Sequence, residues 1–334
     1  MIIFNAFRDG IRRVNAAPAV LAGVLIATLL VTLPLGLALR SALRAHLGDS
    51  VAADTVASGV NWDWWQEFSA QATGLGGTFS PSVIGAGVVL DNLSALLDNR
   101  PTAGILIGVA TAYLLFWVFL VGGVLDRYAR GRATRAAGFF GACGVYFFRF
   151  LRLAVVGWLA YAVLFGLIHG WLLDDFYGWA TRNFTVERSA FLLRVALYVL
   201  FGALLVACNL VLDYAKIRAV VEDRRSMIGA LLAAWRFVTR RPLQVSGLYL
   251  LNGLVFLLVL AVYAAAVPGA GGTGLSMWVG FLIGQAYILA RLWTKLLFYA
   301  SQTALFQGEL AHAEYIAAPE PVWPESPAAE AIGR

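Results

Sequence analysis

Long apolar runs alternate with short polar stretches along most of this chain, and the alternation predicts its architecture. A run of about 18 or more apolar residues is long enough to cross the hydrocarbon core of a membrane as a helix. Such runs lie at about 18–39, 103–125, 150–172, 191–212, 243–267 and 277–297. We therefore predict an all-α integral membrane protein with six transmembrane helices.

The composition agrees with this class. The 334 residues are 60% hydrophobic and only 13% charged, whereas soluble domains contain about 25% charged residues. The formal net charge of +6 is compatible with nucleic-acid binding, but the basic residues lie beside the apolar runs and not along a soluble face. We therefore expect no nucleic-acid partner. Two cysteines, Cys143 and Cys208, fall on or near the predicted cytoplasmic side, where a structural disulfide is not expected.

Basic residues indicate the orientation. The N-terminus, the connections between spans 2 and 3 and between spans 4 and 5, and the C-terminal tail contain 17 Lys and Arg residues, against 6 on the other side. Because cytoplasmic loops carry the excess of Lys and Arg, we predict that both termini are cytoplasmic in a multi-pass protein of the bacterial inner membrane. The first run spans without a clear cleavage site, so we expect it to be retained as a helix.

Recurring landmarks predict three tandem helical hairpins. Tyr-Ala pairs end the even-numbered spans at Tyr128, Tyr214 and Tyr299, and arginines precede the odd-numbered spans at Arg149 and Arg236. A shared period with shared landmarks is typical of tandem repeats. The predicted units are an interfacial helix 1–17, hairpin 1 at 18–149 with an extracytoplasmic insertion 40–101 and a cytoplasmic connector 126–149, hairpin 2 at 150–242 with an amphipathic connector 213–242, hairpin 3 at 243–311, and a disordered cytoplasmic tail 312–334.

The insertion carries an aromatic cluster, Trp62, Trp64 and Trp65, and a second segment, 88–97, with one apolar helical face. Tryptophan favours the membrane interface, which predicts two short helices lying on the outer leaflet. The alternative is a lid or a sugar-binding patch that uses the tryptophans.

The connector between spans 4 and 5 shows an apolar stripe from Ile217 to Val238, with Ser226 as a candidate N-cap within it. A stripe flanked by basic residues predicts a helix on the membrane surface, and docking to a partner is the alternative. The candidate lipid or partner surface consists of Arg12, Arg149, Arg224, Arg225, Trp235 and Arg236.

A family resemblance lies in this connector. The run from Val221 to Ser226, with Gly229-Ala230, Trp235-Arg236 and Gly247-Leu248, resembles the cytoplasmic helix and following span of a broad group of bacterial multi-span proteins. One branch of that group is the membrane domain fused to glycerophosphodiester phosphodiesterases. The likeness covers about forty residues and implies a helical fold. It implies no activity, because no stretch here corresponds to the soluble phosphodiesterase part.

Polar residues inside the spans are the candidates for a functional site, since such residues are costly in a membrane. They are Asn209, Asp213, Asn252, Gln285, Arg291 and Lys295. Asn252 and Gln285 could hydrogen-bond to each other near mid-membrane. Snorkelling of Arg291 and Lys295 to head groups is one interpretation; an ion pair between Arg291 and Asp213, or a polar cavity, is the other. We find no nucleotide, metalloprotease or zinc motif, and predict no catalytic residue, cofactor or metal.

Two functions fit these patterns. The first is a non-enzymatic component that organises lipids or a membrane complex, with membrane lipids, other subunits or further copies of the chain as partners. The second is a transporter or permease for a lipidic or small amphipathic molecule, for which Asn252, Gln285 and Arg291 should face one hydrated cavity. An intramembrane enzyme ranks third.

Overall fold

The computed structural model describes residues 2–48, 50–81, 85–101, 104–131, 134–267 and 274–312, and these residues form helices and no strand. The predicted tail, except for His312, lies outside the described residues. The helices are α1 Ile2–Asn15, α2 Pro18–Leu47, α3 Ala52–Ser58, α4 Trp62–Gln71, α5 Ala86–Leu97, α6 Gly104–Arg130, α7 Ala136–Val163, α8 Tyr177–Thr181, α9 Glu187–Val221, α10 Met227–Arg240, α11 Pro242–Ala266 and α12 Leu275–His312.

Six of the described helical segments are long and apolar enough to cross a membrane, which confirms the predicted class. They are α2, α6, the segment from α7 to α8, α9, α11 and α12. Two π-helical segments, Leu164–Ile168 and Trp171–Phe176, lie between α7 and α8 and keep that segment helical. Helix α7 begins at Ala136, well before the predicted span start near Phe150, because residues 136–149 of the predicted connector are part of the same helix.

Local residues set the helix ends. Proline occupies the first turn of α2 and of α11, at Pro18 and Pro242, where its missing N–H is not needed. Ser226 caps α10: its side-chain oxygen accepts a hydrogen bond from the Gly229 backbone N–H at 3.2 Å. Gly131 follows α6 with φ +64°, a left-handed conformation that glycine adopts without steric cost.

Helices α6, α9 and α12 contact one another at the centre of the molecule. The landmark tyrosines in the later part of these helices, Tyr128, Tyr214 and Tyr299, are all buried. Ala215 and Ala300, which follow two of these tyrosines, have no exposed surface. Small side chains allow helix backbones to approach closely in a membrane, where lipid supplies no hydrophobic force between helices.

Each central helix carries one further helix along its end. Helix α1 packs on α12, the beginning of α7 packs on α6, and α10 packs on α9. Small residues lie at these contacts as well: a Cβ added to Gly10 of α1 would lie 2.7 Å from the Cβ of Ser301, and one added to Gly123 of α6 would lie 2.6 Å from the Sγ of Cys143. These three contacts form one end of the molecule, called the α10 side below.

Ion pairs and backbone contacts join the helices of the α10 side. Arg13 Nη1 donates to the Tyr128 carbonyl at 2.9 Å and to Gln307 Oε1 at 2.7 Å, which connects α1, α6 and α12. Arg241 pairs with Glu309 at 2.6 Å and connects α11 to α12. The pair of Arg241 with Glu309 neutralises two charges, and the contacts of Arg13 and Arg241 together hold the helix ends against one another.

The opposite end, called the α5 side, contains α3, α4 and α5. Trp64 and Phe68 of α4 are buried and stack with ring centroids 5.2 Å apart. After α5, Tyr198 of α9 donates a hydrogen bond to the Asp98 carboxylate at 2.6 Å. This hydrogen bond, with a second from Ser94, lowers the pKa of Asp98. His169 Nε2 lies 2.7 Å from the Leu97 carbonyl oxygen, so α5 is tied to two spans.

The contact of α1 with α12 predicts a steric effect. The substitution Gly10→Ala places a methyl group against the Ser301 backbone, and overpacking of this kind costs about 1–3 kcal/mol. We expect a lower midpoint of thermal unfolding in detergent. Gly36→Ala is the matched control, because a Cβ there has nothing within 4 Å. Equal midpoints for Gly10→Ala and the unsubstituted protein would contradict the described packing.

Candidate intramembrane binding site

A cavity of about 820 Å³ lies between α2, α6, α11 and α12 and reaches Asp213 of α9. Leu29 and Thr32 of α2, Ala110 of α6 and Arg291 of α12 line it and are exposed, so the cavity opens at the surface of the bundle. Helix α2 leaves this opening because it packs loosely: Val24 and Ala27 are its only buried residues. The Thr28 hydroxyl lies 3.4 Å from the Tyr113 hydroxyl and joins α2 to α6 within the cavity wall.

The lining changes from apolar to polar along the bundle. Leu35, in the second half of α2, and Leu106, in the first turn of α6, line it toward the α5 side. Asp213, Tyr249 and Tyr299 line it toward the α10 side. At 1.5 Å per residue, Tyr299 lies about 36 Å along α12 from Leu275. The cavity therefore combines an apolar end with a polar end.

Lys295 supplies an unpaired cation to the polar end. Its Nζ lies 3.5 Å from the centre of the Trp117 ring, a cation–π contact, and 5.8 Å from that of Tyr113. Trp117 Nε1 donates to the Tyr299 hydroxyl at 3.3 Å, which fixes the plane of the indole. Within the described part of the chain, Lys295 forms no ion pair with a carboxylate. The aromatic face holds the ammonium but does not neutralise it.

Asp213, the acidic residue that lines the cavity, is already paired. Its Oδ1 lies 2.6 Å from Lys216 Nζ, three residues later on α9, and both side chains are largely buried. Lys216 Nζ also lies 5.3 Å from the Tyr299 ring centre. Arg291 and Lys295 therefore remain as the cations of the cavity without a carboxylate partner among the described residues. Its polar end carries a net positive charge and favours an anion.

The structure brings together three of the six predicted intramembrane residues. Asp213, Arg291 and Lys295 line the cavity. Asn209 instead accepts a hydrogen bond from the Tyr161 hydroxyl at 2.6 Å, between α7 and α9. Asn252 is fully buried.

Asn252 donates to Ser301 Oγ at 2.8 Å and not to Gln285. Neither Asn252 nor Gln285 is part of the cavity lining, so these two and Arg291 do not share one cavity. The ion pair of Asp213 is with Lys216 and not with Arg291.

Three residues of the site carried no functional signal in the sequence. Lys216 follows a predicted span and reads as a topology signal, Trp117 reads as an apolar residue of span 2, and Tyr299 reads as a repeat landmark. The 3.5 Å contact between Lys295 and Trp117 joins residues 178 positions apart, and periodicity within one helix cannot reveal such a pair.

No protein-family model, curated protein or solved structure matches this chain. The class therefore rests on the fold itself. The six long apolar helices, many of whose large aliphatic side chains are exposed, define a multi-pass α-helical membrane protein.

The pair formed by Asp213 and Lys216 predicts strong coupling between the two residues. Removing one partner leaves an uncompensated charge and costs about 3–5 kcal/mol, whereas removing both leaves none. We expect Asp213→Leu and Lys216→Leu each to lower the thermal midpoint markedly. The double variant should be more stable than either single variant. Additive losses in a double-mutant cycle, measured by thermal unfolding in detergent, would refute the coupling.

Proposed function

We propose that this protein binds an anionic amphiphile in the cavity between α2, α6, α11 and α12, as the binding step of a transporter or permease for a lipidic or small amphipathic molecule. The transport site expected from the sequence, with Asn252, Gln285 and Arg291 in one cavity, is not formed, so the proposed site uses Arg291 and Lys295 instead. The observation that carries the proposal is the pair of cations at the polar end of a largely apolar cavity, Arg291 and Lys295, which have no carboxylate partner among the described residues.

The ligand chemistry follows from this arrangement. A hydrocarbon chain fits beside Leu29, Leu35 and Leu106, because these apolar side chains offer it dispersion contacts. An anionic head group is favoured at Lys295, where a charge-assisted hydrogen bond contributes about 1.5–3 kcal/mol. The opening beside α2 allows entry from the lipid. Binding of this kind requires no chemical reaction by the protein.

We also propose that the fold consists of three tandem hairpins with both termini on the cytoplasmic side. The mutual contacts of α6, α9 and α12 support the repeat, as do the three matching contacts of α1, α7 and α10 with them. In each matching contact the helix that leads into an odd-numbered span packs on an even-numbered span, and α1 closes the ring on α12. The arginines of the α10 side support a cytoplasmic location for that side.

The cavity proposal predicts a charge-dependent affinity. In lipid nanodiscs, 9,10-dibromostearate should quench tryptophan fluorescence saturably, because a ligand whose carboxylate lies at Lys295 is held beside Trp117. The substitution Lys295→Met retains the stem and removes the charge. We expect it to raise the dissociation constant about tenfold, equivalent to about 1.4 kcal/mol.

The methyl ester of the same acid is the matched ligand control. It has no charge, so Lys295→Met should leave its quenching curve unchanged. Equal affinity of the unsubstituted protein and of Lys295→Met for dibromostearate would refute the proposed head-group site. An equal loss for acid and ester would show that the substitution alters the shape of the cavity and would count against a charge contact.

A second function, organisation of lipids or of a membrane complex, is supported by α10. Ile228, Leu232 and Trp235 are exposed on this helix although they are apolar. Arg225 and Arg236 flank them and form no ion pair within the described chain. An exposed apolar face with adjacent cations fits the boundary between head groups and acyl chains.

This alternative predicts that lipid or partner association depends on the positive charge of α10 and the residues just before it. Arg225→Glu and Arg236→Glu, together with Arg224→Glu, should weaken association of the protein with anionic lipid or with a co-purifying subunit. Native mass spectrometry of protein extracted under mild conditions measures both kinds of association directly. Unchanged bound masses in the triple variant would exclude α10 as the organising surface.

A further inference from the structure

Arg127, near the end of α6, is a buried cation without a counterion in the described part of the chain. Its exposed fraction is 9%, and Nη2 donates to the Ala16 carbonyl at 3.0 Å. No Asp or Glu of the described residues forms an ion pair with it. A buried charge is costly unless it is paired. A guanidinium has five N–H donors, and the hydrogen bond to the Ala16 carbonyl uses one of them.

Two cavities meet at Arg127. One, of about 360 Å³, is lined by Arg12, Arg13, Arg127 and Arg130, with Asp9 as its acidic residue. The other, of about 540 Å³, is an apolar slot between α2, α6 and α7. Ala16 and Arg127 line both, so the slot continues into the arginine-lined cavity.

The arginines of the first cavity are not equally available. Arg13 is paired with Asp9 at 2.8 Å and Arg130 with Asp126 at 2.7 Å. Arg12 is exposed and forms no ion pair among the described residues. Arg12 and Arg127 therefore supply two uncompensated charges to one cavity. Guanidinium groups bind phosphate oxygens through paired N–H donors.

The apolar slot has the shape of an acyl-chain site. Along α2 its wall extends from Ala17 to Leu30, about 20 Å at 1.5 Å per residue. Val24, Ala27 and Phe140 are among the apolar side chains that line it. The slot lies on the other side of α2 from the cavity that contains Lys295.

We propose that this is a binding site for one anionic phospholipid, whose phosphate lies between Arg12 and Arg127 and whose acyl chain lies in the slot along α2. Charge complementarity favours an anionic over a zwitterionic lipid, because neither Arg12 nor Arg127 has a carboxylate partner in the described part of the chain. The site is separate from the cavity of the proposed function and uses different residues. Lipid in the slot also fills the gap that the loose packing of α2 leaves.

The test measures retained lipid by native mass spectrometry after reconstitution with dioleoyl phosphatidylglycerol or, separately, with dioleoyl phosphatidylcholine. We expect one phosphatidylglycerol to survive detergent exchange and phosphatidylcholine to be lost. Arg127→Gln should reduce the retained fraction at least tenfold, and the exposed Arg12→Gln should reduce it without risk to the fold. Gly23→Trp, which fills the slot where an added Cβ meets nothing within 4 Å, should do the same.

Arg240→Gln is the matched control, an exposed arginine at the end of α10 that lines neither cavity and belongs to neither proposed surface, and it should retain lipid as the unsubstituted protein does. Equal retention of both lipids, or unchanged retention in Arg12→Gln and Arg127→Gln, would overturn the proposal. Displacement of the lipid by soluble glycerol 1-phosphate at millimolar concentration would also overturn it, since the cavity would then bind a free phosphate and not a lipid. A loss in Arg240→Gln equal to that in Arg12→Gln would show general surface attraction and reject the site.

Discussion

The close contact among α6, α9 and α12 is the interaction on which the other elements depend. In lipid, apolar helices gain no hydrophobic free energy by associating, so packing must hold them together. Buried alanines such as Ala215 and Ala300 allow this packing, and the tyrosines beside them fill the centre. Helices α1 and α10 and the beginning of α7 then cover the ends of the three central helices. The ion pairs of the α10 side, such as Arg241 with Glu309, are possible because packing has already placed those ends together.

Helix α2 differs from the central helices, and the candidate sites follow from that difference. It contacts the bundle through a narrow strip around Val24 and Ala27. Space remains on both sides of the strip: the cavity with Lys295 on one side and the slot that ends at Arg127 on the other. Each space contains an arginine or lysine without a carboxylate partner among the described residues. A polar group in a membrane interior must be satisfied by protein, water or ligand, so the unpaired cations mark where a ligand would be stabilised.

The sequence predicted the candidate site in part. Arg291, Lys295 and Asp213 stood out because a charged residue inside an apolar run is costly, and all three line the cavity. Asn252 and Gln285 were placed with them only because both lie near mid-membrane. Depth along a helix does not specify the side on which a residue faces a neighbour. Arg127 was counted as a topology signal. Its burial involves a contact with Ala16, more than a hundred residues earlier in the chain, and no local pattern reveals such a contact.

Some properties of this protein are determined by the sequence alone. Apolar runs long enough to cross a bilayer determine six membrane helices, and Ser226, Pro18 and Pro242 determine where three helices begin, because these effects act over a few neighbouring residues. The tertiary structure decided which helices touch, which polar groups are paired and where space remains. Lys216 neutralises Asp213 within α9, at an i,i+3 spacing that the sequence itself contains. Lys295 is held by Trp117 of α6, and this contact depends on a distance between helices that no local pattern encodes.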